Sequence, residues 1–134
     1  WEGGSGWWFE QEAEIRFLHD RLAVPDLSAW KLDAAQALPP AFVLENPITA
    51  RPDWCCELLS ESTKKSDREL KVPLYARAGV EWIWLVDPEA HSVEVIHAGG
   101  GSAETVDTIV GVVRRPIPPF SSVVDTSRWW VSAA

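Results

Sequence analysis

The chain has no methionine, one tyrosine, three histidines and two cysteines in 134 residues. It starts at Trp1. An open reading frame begins with Met, so a segment upstream of Trp1 is expected. The cysteines, Cys55 and Cys56, are adjacent in an apolar run. Neighbours on a strand point to opposite faces, so no local disulfide is expected between them. They are read as small core residues. With no signal peptide visible, this favours a reducing, cytoplasmic compartment. No apolar run reaches 18 residues, so no membrane span is expected. His19, His91 and His97 lack zinc spacing and any HExxH motif. There is no GxSxG elbow, and Gly99-Gly100-Gly101 lacks the Lys-Ser/Thr of a phosphate loop.

Acid is abundant instead. Twelve Lys and Arg face twenty Asp and Glu, a formal net charge of -8. That argues against strong non-specific nucleic-acid binding by the isolated domain. Lys64, Lys65, Arg68, Lys71 and Arg77 nevertheless cluster in one stretch. It is the candidate positive edge, and equally a solvated helix face. Nine tryptophans supply large apolar surfaces to a small core. If Trp1, Trp7, Trp8, Trp129 or Trp130 is exposed, it marks a subunit interface.

The length fits one domain. Residues 1–6 read as a flexible lead-in and 7–134 as the domain. Ala13, Ile15 and Phe17 alternate with Glu12, Glu14 and Arg16, which predicts a strand through 7–17. His19-Asp20 is the expected turn. A second strand is predicted over 21–31, with an edge or bulge at Pro25. Four prolines between 33 and 52 predict a long loop, with a helical turn over residues 33–37. Residues 53–59 are apolar on both faces and read as a central strand.

A helix is predicted from Ser60–Thr63 to about Ala78, with Gly79 at its C-terminal turn. Pro73 should kink it or start a new helix. Its apolar stripe is read as Leu70, Leu74, Tyr75 and Ala78. Strands follow over 80–87, 92–97 and 104–113. Residues 123–130 read as a final turn or short helix.

Two carboxylates close apolar runs: Asp26 after Leu22-Ala23-Val24-Pro25, and Glu57 after Trp54-Cys55-Cys56. Acids at the ends of neighbouring strands can share one hard cation. Magnesium needs only one or two carboxylates because it keeps several waters. The Leu58 carbonyl is a candidate third oxygen. Lys71 is the candidate for orienting a water or stabilising charge on phosphorus. Glu12 or Glu14 could complete the shell. The residues alone also allow plainer readings. Asp26 can be a turn residue, Glu57 a salt-bridge partner, Lys71 a solvated lysine, and Glu12 and Glu14 an outer polar face. Asp67 reads as a cap or a partner to a basic neighbour. Tyr75 reads as core, with its hydroxyl at most at the site edge.

The order of these elements carries a resemblance. Pro25-Asp26 is followed by Pro52-Asp53-Trp54-Cys55-Cys56-Glu57-Leu58-Leu59-Ser60. Then come Ser62-Thr63, Asp67-Arg68, Lys71, Leu74-Tyr75-Ala76-Arg77-Ala78-Gly79-Val80 and Trp84-Leu85-Val86-Asp87-Pro88. Over roughly residues 7–97 this string resembles the Uma-type putative restriction endonuclease family of the PD-(D/E)XK nuclease superfamily. The resemblance implies an α/β (α+β) fold with a mixed sheet flanked by helices. It also implies a divalent metal, Mg2+ or Mn2+, and cleavage of DNA phosphodiesters. Asp26 matches the first metal-binding acid and Glu57 the second. The superfamily's usual lysine is replaced by Leu59, and Lys71 matches a lysine supplied from the following helix. Glu14, in preference to Glu12, matches an acid-rich strand.

The superfamily core begins with a helix that residues 1–6 cannot supply. A partner subunit or an upstream segment is therefore expected to cover that flank, and a homodimer is expected. The competing expectation is a nuclease fold that no longer cuts and serves as a nucleic-acid-binding or dimeric module. One geometric requirement follows from the catalytic reading: Asp26 and Glu57 must face the same side of the sheet, with the Lys71 amine at the same spot.

Overall fold

The structure is a computed structural model that describes residues 2–3, 6–18, 20–35 and 37–130. Trp1 and His19 lie outside the described residues. Seven strands form the main sheet in the order β1-β2-β5-β6-β7-β8-β9. These are β1 (Glu2–Gly3), β2 (Trp7–Gln11), β5 (Leu27–Lys31), β6 (Trp54–Leu58), β7 (Trp82–Asp87), β8 (Ser92–His97) and β9 (Glu104–Val110). Two small ribbons complete the strands. One pairs β3 (Ile15–Arg16) with β4 (Leu22–Ala23), and the other β10 (Arg114–Pro116) with β11 (Val123–Asp125).

All neighbours in the main sheet are antiparallel except β6 and β7. A parallel pair needs a crossover, usually a helix. Here it is the helical run of residues 64–78. That run combines α1 (Lys64–Ser66), a π-helical turn (Asp67–Lys71) and α2 (Val72–Ala78). Gly79 closes it in the left-handed conformation, with φ 90°.

Alternation along the strands divides the core into two layers. On the helix side, Cys55, Ile83 and Leu85 pack with Val72, Tyr75 and Ala76. On the opposite side, Trp54, Cys56, Trp84 and Val86 pack with Val93, Val95 and Ile109 under the C-terminal segment. Phe120 of that segment stands edge-on to both Trp54 and Trp84, at 5.2 and 5.5 Å between ring centroids. An apolar cleft of about 510 Å³ remains open there, lined by Phe9, Trp54, Trp84 and Trp129 among others.

Several local expectations are corrected. The strand predicted over 7–17 ends at Gln11, because Glu12 takes a φ of 51° that breaks the extended backbone. The chain resumes as β3 in a separate ribbon. The strand predicted over 21–31 is two strands with Pro25 in the gap, as befits a residue that cannot donate to a ladder. Glu2–Gly3 pair with Trp7–Trp8, inside the stretch read as a flexible lead-in.

In the proline-rich loop a helical turn forms at Ala41–Leu44. Of the turn expected over 33–37, residues 34–35 turn, with the Ala35 N–H donating to Asp33 Oδ1, and Gln36 lies outside the described residues. Residues 114–116 and 123–125 form a ribbon, which buried Thr126 pins through Gly111 and Val113. Trp7, a candidate interface residue, is buried.

As expected, Pro73 stands near the N-terminus of a new helical segment, α2. It lies in the first turn of α2, directly after the π turn. The π turn adds one residue to a turn of helix, which rotates everything before it relative to α2. Of the expected stripe, Tyr75 is buried, Leu74 and Ala78 pack against the core, and Leu70 is 69% exposed; the buried positions of the run are Asp67, Val72, Tyr75 and Ala76.

Candidate active site

β6 places Glu57 one residue before its end, where alternation aims the side chain at the helical run. The residue is 1% exposed. Its two oxygens are both engaged. The Tyr75 hydroxyl donates to Oε1 at 2.8 Å, and the Lys71 ammonium donates to Oε2 at 3.3 Å. Burial raises the Glu57 pKa above its usual range, although Tyr75 and Lys71 oppose the shift. The nearby Asp26 charge raises it further.

Asp26 occupies the position just before β5. Leu27 stands across from Cys56 in the β5–β6 ladder, so Asp26 and Glu57 are the next positions outward. Opposed residues of an antiparallel pair share a face, which puts both acids on the helix side. The Asp26 carboxylate also closes the ladder's end. Its Oδ2 accepts the Leu58 N–H at 2.6 Å. The N–H and C=O of one strand residue point to the same edge, so the Leu58 carbonyl faces the side on which Asp26 stands.

Lys71 ends the π turn and reaches two acids. Its Nζ is 3.3 Å from Glu57 and 3.0 Å from Asp67 Oδ1. Partial burial works against the ammonium, but the two carboxylates outweigh it and hold its pKa above the ordinary lysine value. Asp67 is 2% exposed. Its Oδ1 lies at ion-pair distance from Lys71 yet accepts no well-directed hydrogen bond. Tyr75 is fully buried, and burial followed by the Glu57 charge pushes its pKa up. Its hydroxyl therefore remains a donor.

Glu14 is not part of this constellation. It is exposed, and only its backbone carbonyl is bonded, to the Ile48 N–H. The turn at Glu12 that ends β2 removes it from the sheet beside Asp26. Glu12 itself touches the site through its backbone, where its N–H donates to the Asp26 carbonyl.

Tyr75 is core with its hydroxyl on Glu57, and Asp67 partners the basic Lys71, both as read from the sequence. A signal existed for Asp67, the i,i+4 spacing to Lys71. Its burial was not legible because the π turn sets which residues face inward.

The basic stretch is largely neutralised. Lys64 pairs with Asp87 at 3.3 Å, Arg68 with Glu94 at 2.7 Å, and Lys71 is committed to the site. Lys65 and Arg77 are exposed, and neither forms an ion pair among the described residues.

These donors fit a lightly ligated hard cation rather than a fully caged one. Asp26, Glu57 and the Leu58 carbonyl are all oxygen donors at one strand end. Among the described residues, no group of three or more His, Cys, Asp or Glu is gathered to hold a metal ion. Magnesium keeps several waters and needs only one or two carboxylates, which Asp26 and Glu57 would supply.

A family model described as "Putative restriction endonuclease", Uma2, matches residues 1–122. The chain belongs to the Uma2 family. Four chains of solved structure match this Uma2 member. One is a crystal structure of a putative nuclease of the DUF820 group from Anabaena variabilis, with a TM-score of 0.62 and 23% identity. The match covers 87% of this chain and 63% of that one, so this chain spans less than two thirds of its length. That likeness establishes the restriction-endonuclease-like α+β fold: a mixed sheet with a helical crossover. No curated protein matches. No helix among the described residues is long and apolar enough to cross a membrane.

Proposed function

We propose that the chain is a divalent-metal-dependent nuclease that hydrolyses DNA phosphodiesters. The observation that carries this reading is the buried Glu57 carboxylate at the end of β6. It has Asp26 on the same sheet face and the Lys71 ammonium 3.3 Å away. Family membership supports it.

In this reading Asp26, Glu57 and the Leu58 carbonyl hold Mg2+ or Mn2+. When bound, the ion would polarise a phosphoryl oxygen and lower the pKa of a coordinated water. Tyr75 locks the Glu57 rotamer by donating to Oε1. Asp26 keeps the strand end closed through the Leu58 N–H. Lys71 supplies a positive charge to the phosphate oxygens or orients the attacking water. Glu14 takes no part. Within the basic stretch, Lys65 and Arg77 offer charge for the DNA backbone.

Titrating Mn2+ into the protein by calorimetry, alongside a plasmid cleavage assay in Mg2+ and Mn2+, tests the proposal. Metal binding and nicking by the wild type, both lost in Glu57→Ala, support it. A wild type that binds neither ion sinks it.

One observation favours a non-cutting nucleic-acid-binding or dimeric module. Both Glu57 oxygens are already satisfied from within, with an ammonium against one of them. An electrophoretic shift of DNA without cleavage in either metal would select that reading. Mass in solution at several concentrations tests the homodimer.

A further inference from the structure

Lys71 stands between two buried carboxylates that have very different company. Glu57 has a second donor, the Tyr75 hydroxyl at 2.8 Å. The Asp67 Oδ1 is buried and ion-paired with the Lys71 Nζ at 3.0 Å, and among the described residues it accepts no well-directed hydrogen bond. A buried carboxylate oxygen without a hydrogen bond is costly and calls for an explanation. Asp67 is also held inward by the π turn, which an uninterrupted α-helix would not do.

The metal reading makes a demand on Lys71. A divalent cation at Glu57 would stand beside an ammonium already in contact with Oε2, and two positive charges at such separation repel strongly in a partly buried site. The ammonium must leave Glu57. Without a second acceptor it would swing to solvent and be lost to the site. Asp67 Oδ1 is that acceptor, already within reach.

We propose that Asp67 is a positioning residue that takes over the Lys71 ammonium when a divalent cation occupies Glu57, keeping the lysine in the site and off the metal-binding carboxylate. The inference rests on the metal-dependent reading above. In the exchange the Nζ–Glu57 contact breaks, the Nζ–Asp67 contact shortens into a directed hydrogen bond, and no proton moves.

Calorimetric titration of Mn2+ into wild type, Asp67→Asn, Lys71→Met and the double variant tests it, with melting curves confirming that each is folded. In wild type the exchange leaves Glu57 free for the ion. Asp67→Asn should leave Lys71 competing for Glu57 and weaken Mn2+ binding by about 10-fold, as loss of an outer partner of a metal ligand typically does. Lys71→Met should bind Mn2+ at least as tightly as wild type. Adding Asp67→Asn to Lys71→Met should then change little, because there is no lysine left to position.

An equal loss from Asp67→Asn in both backgrounds would overturn the proposal, since Asp67 would then be acting on the ion by its own charge. Unchanged binding in Asp67→Asn would also overturn it. If Asp67→Asn does not fold, Lys71→Met alone decides: weaker Mn2+ binding than wild type is incompatible with a competing lysine. Absence of Mn2+ binding by the wild type would instead bring down the metal reading itself, and this inference with it.

Discussion

The two faces of the sheet are built by the same strands to opposite ends. On β6, Trp54 and Cys56 enter a layer of stacked and edge-on aromatic rings, while Cys55 and Glu57 enter the layer beneath the helical run. The aromatic face is held by area and shape. The helix face sacrifices some of that area to bury Glu57 and Asp67, a choice that costs stability unless partners are supplied. Tyr75 and Lys71 are those partners. One face is spent on stability and the other carries the polar constellation from which chemistry is proposed. The large apolar cleft opens on the aromatic face and is lined in part by Leu27, Cys56 and Leu58, the sequence neighbours of the two acids.

The contrast can be broken experimentally. The largest expected effect is on the polar face: Asp26→Ala or Glu57→Ala should abolish Mn2+ binding and cleavage while the protein still melts cooperatively. Calorimetry and a plasmid assay read the first outcome, and circular dichroism the second. On the aromatic face Trp84→Ala should cost about 3–5 kcal/mol of stability, as large-to-small changes of buried aromatics do. Mn2+ affinity should stay the same, and urea titration with calorimetry would show whether the two faces are separable.

Tyr75→Phe sits between the two regimes. It removes a donor from the buried Glu57 carboxylate and should destabilise by roughly 1.5–3 kcal/mol, the range for hydrogen bonds to charged groups. A neutral result would mean that Glu57 is held by Lys71 alone.

Acidity offers a smaller and more specific signature. The folded-state pKa of Glu57 is raised, chiefly by burial. A carboxyl with a raised folded pKa binds its proton more tightly folded than unfolded. Its contribution to stability is fully present below the unfolded value and is lost as pH rises through the folded one. In metal-free buffer, wild type should lose stability relative to Glu57→Gln as pH climbs from about 4.5, the ordinary glutamate value, through that raised folded value. Urea midpoints of the pair across that window check the sign.

The smallest effect is expected at Leu70. With its side chain outside the buried stripe, Leu70→Ala should change stability by no more than about 0.5 kcal/mol. A loss of about 2 kcal/mol or more would mean that Leu70 packs against apolar neighbours rather than standing exposed.

How much of this was legible beforehand varied with the distance over which the deciding force acts. The apolar run ending at Glu57 and the break at Pro25 before Asp26 are short-range patterns, and both acids appeared where expected. The Lys71 position needed the longer string through Tyr75–Val80 and Trp84–Pro88, because a lone helix lysine carries no signal. Of the helical stripe Leu74, Tyr75 and Ala78 pack as expected and only Leu70 faces outward. Glu14 leaves the main sheet because β2 breaks at Glu12, a residue type that rarely takes positive φ. The ribbon of β10 and β11 was hidden because its strands are three residues each and pair across a loop.

The sequence by itself determined the family, the mixed α+β architecture and the identity of the acids at the strand ends. Those follow from alternation, turn chemistry and motif order, all written locally along the chain. Only the tertiary structure decided that Tyr75 and Lys71 share Glu57, and that Asp67 lies buried behind them. Those contacts depend on how one π turn rotates a helical run against a sheet, a balance of packing that no short window of residues contains.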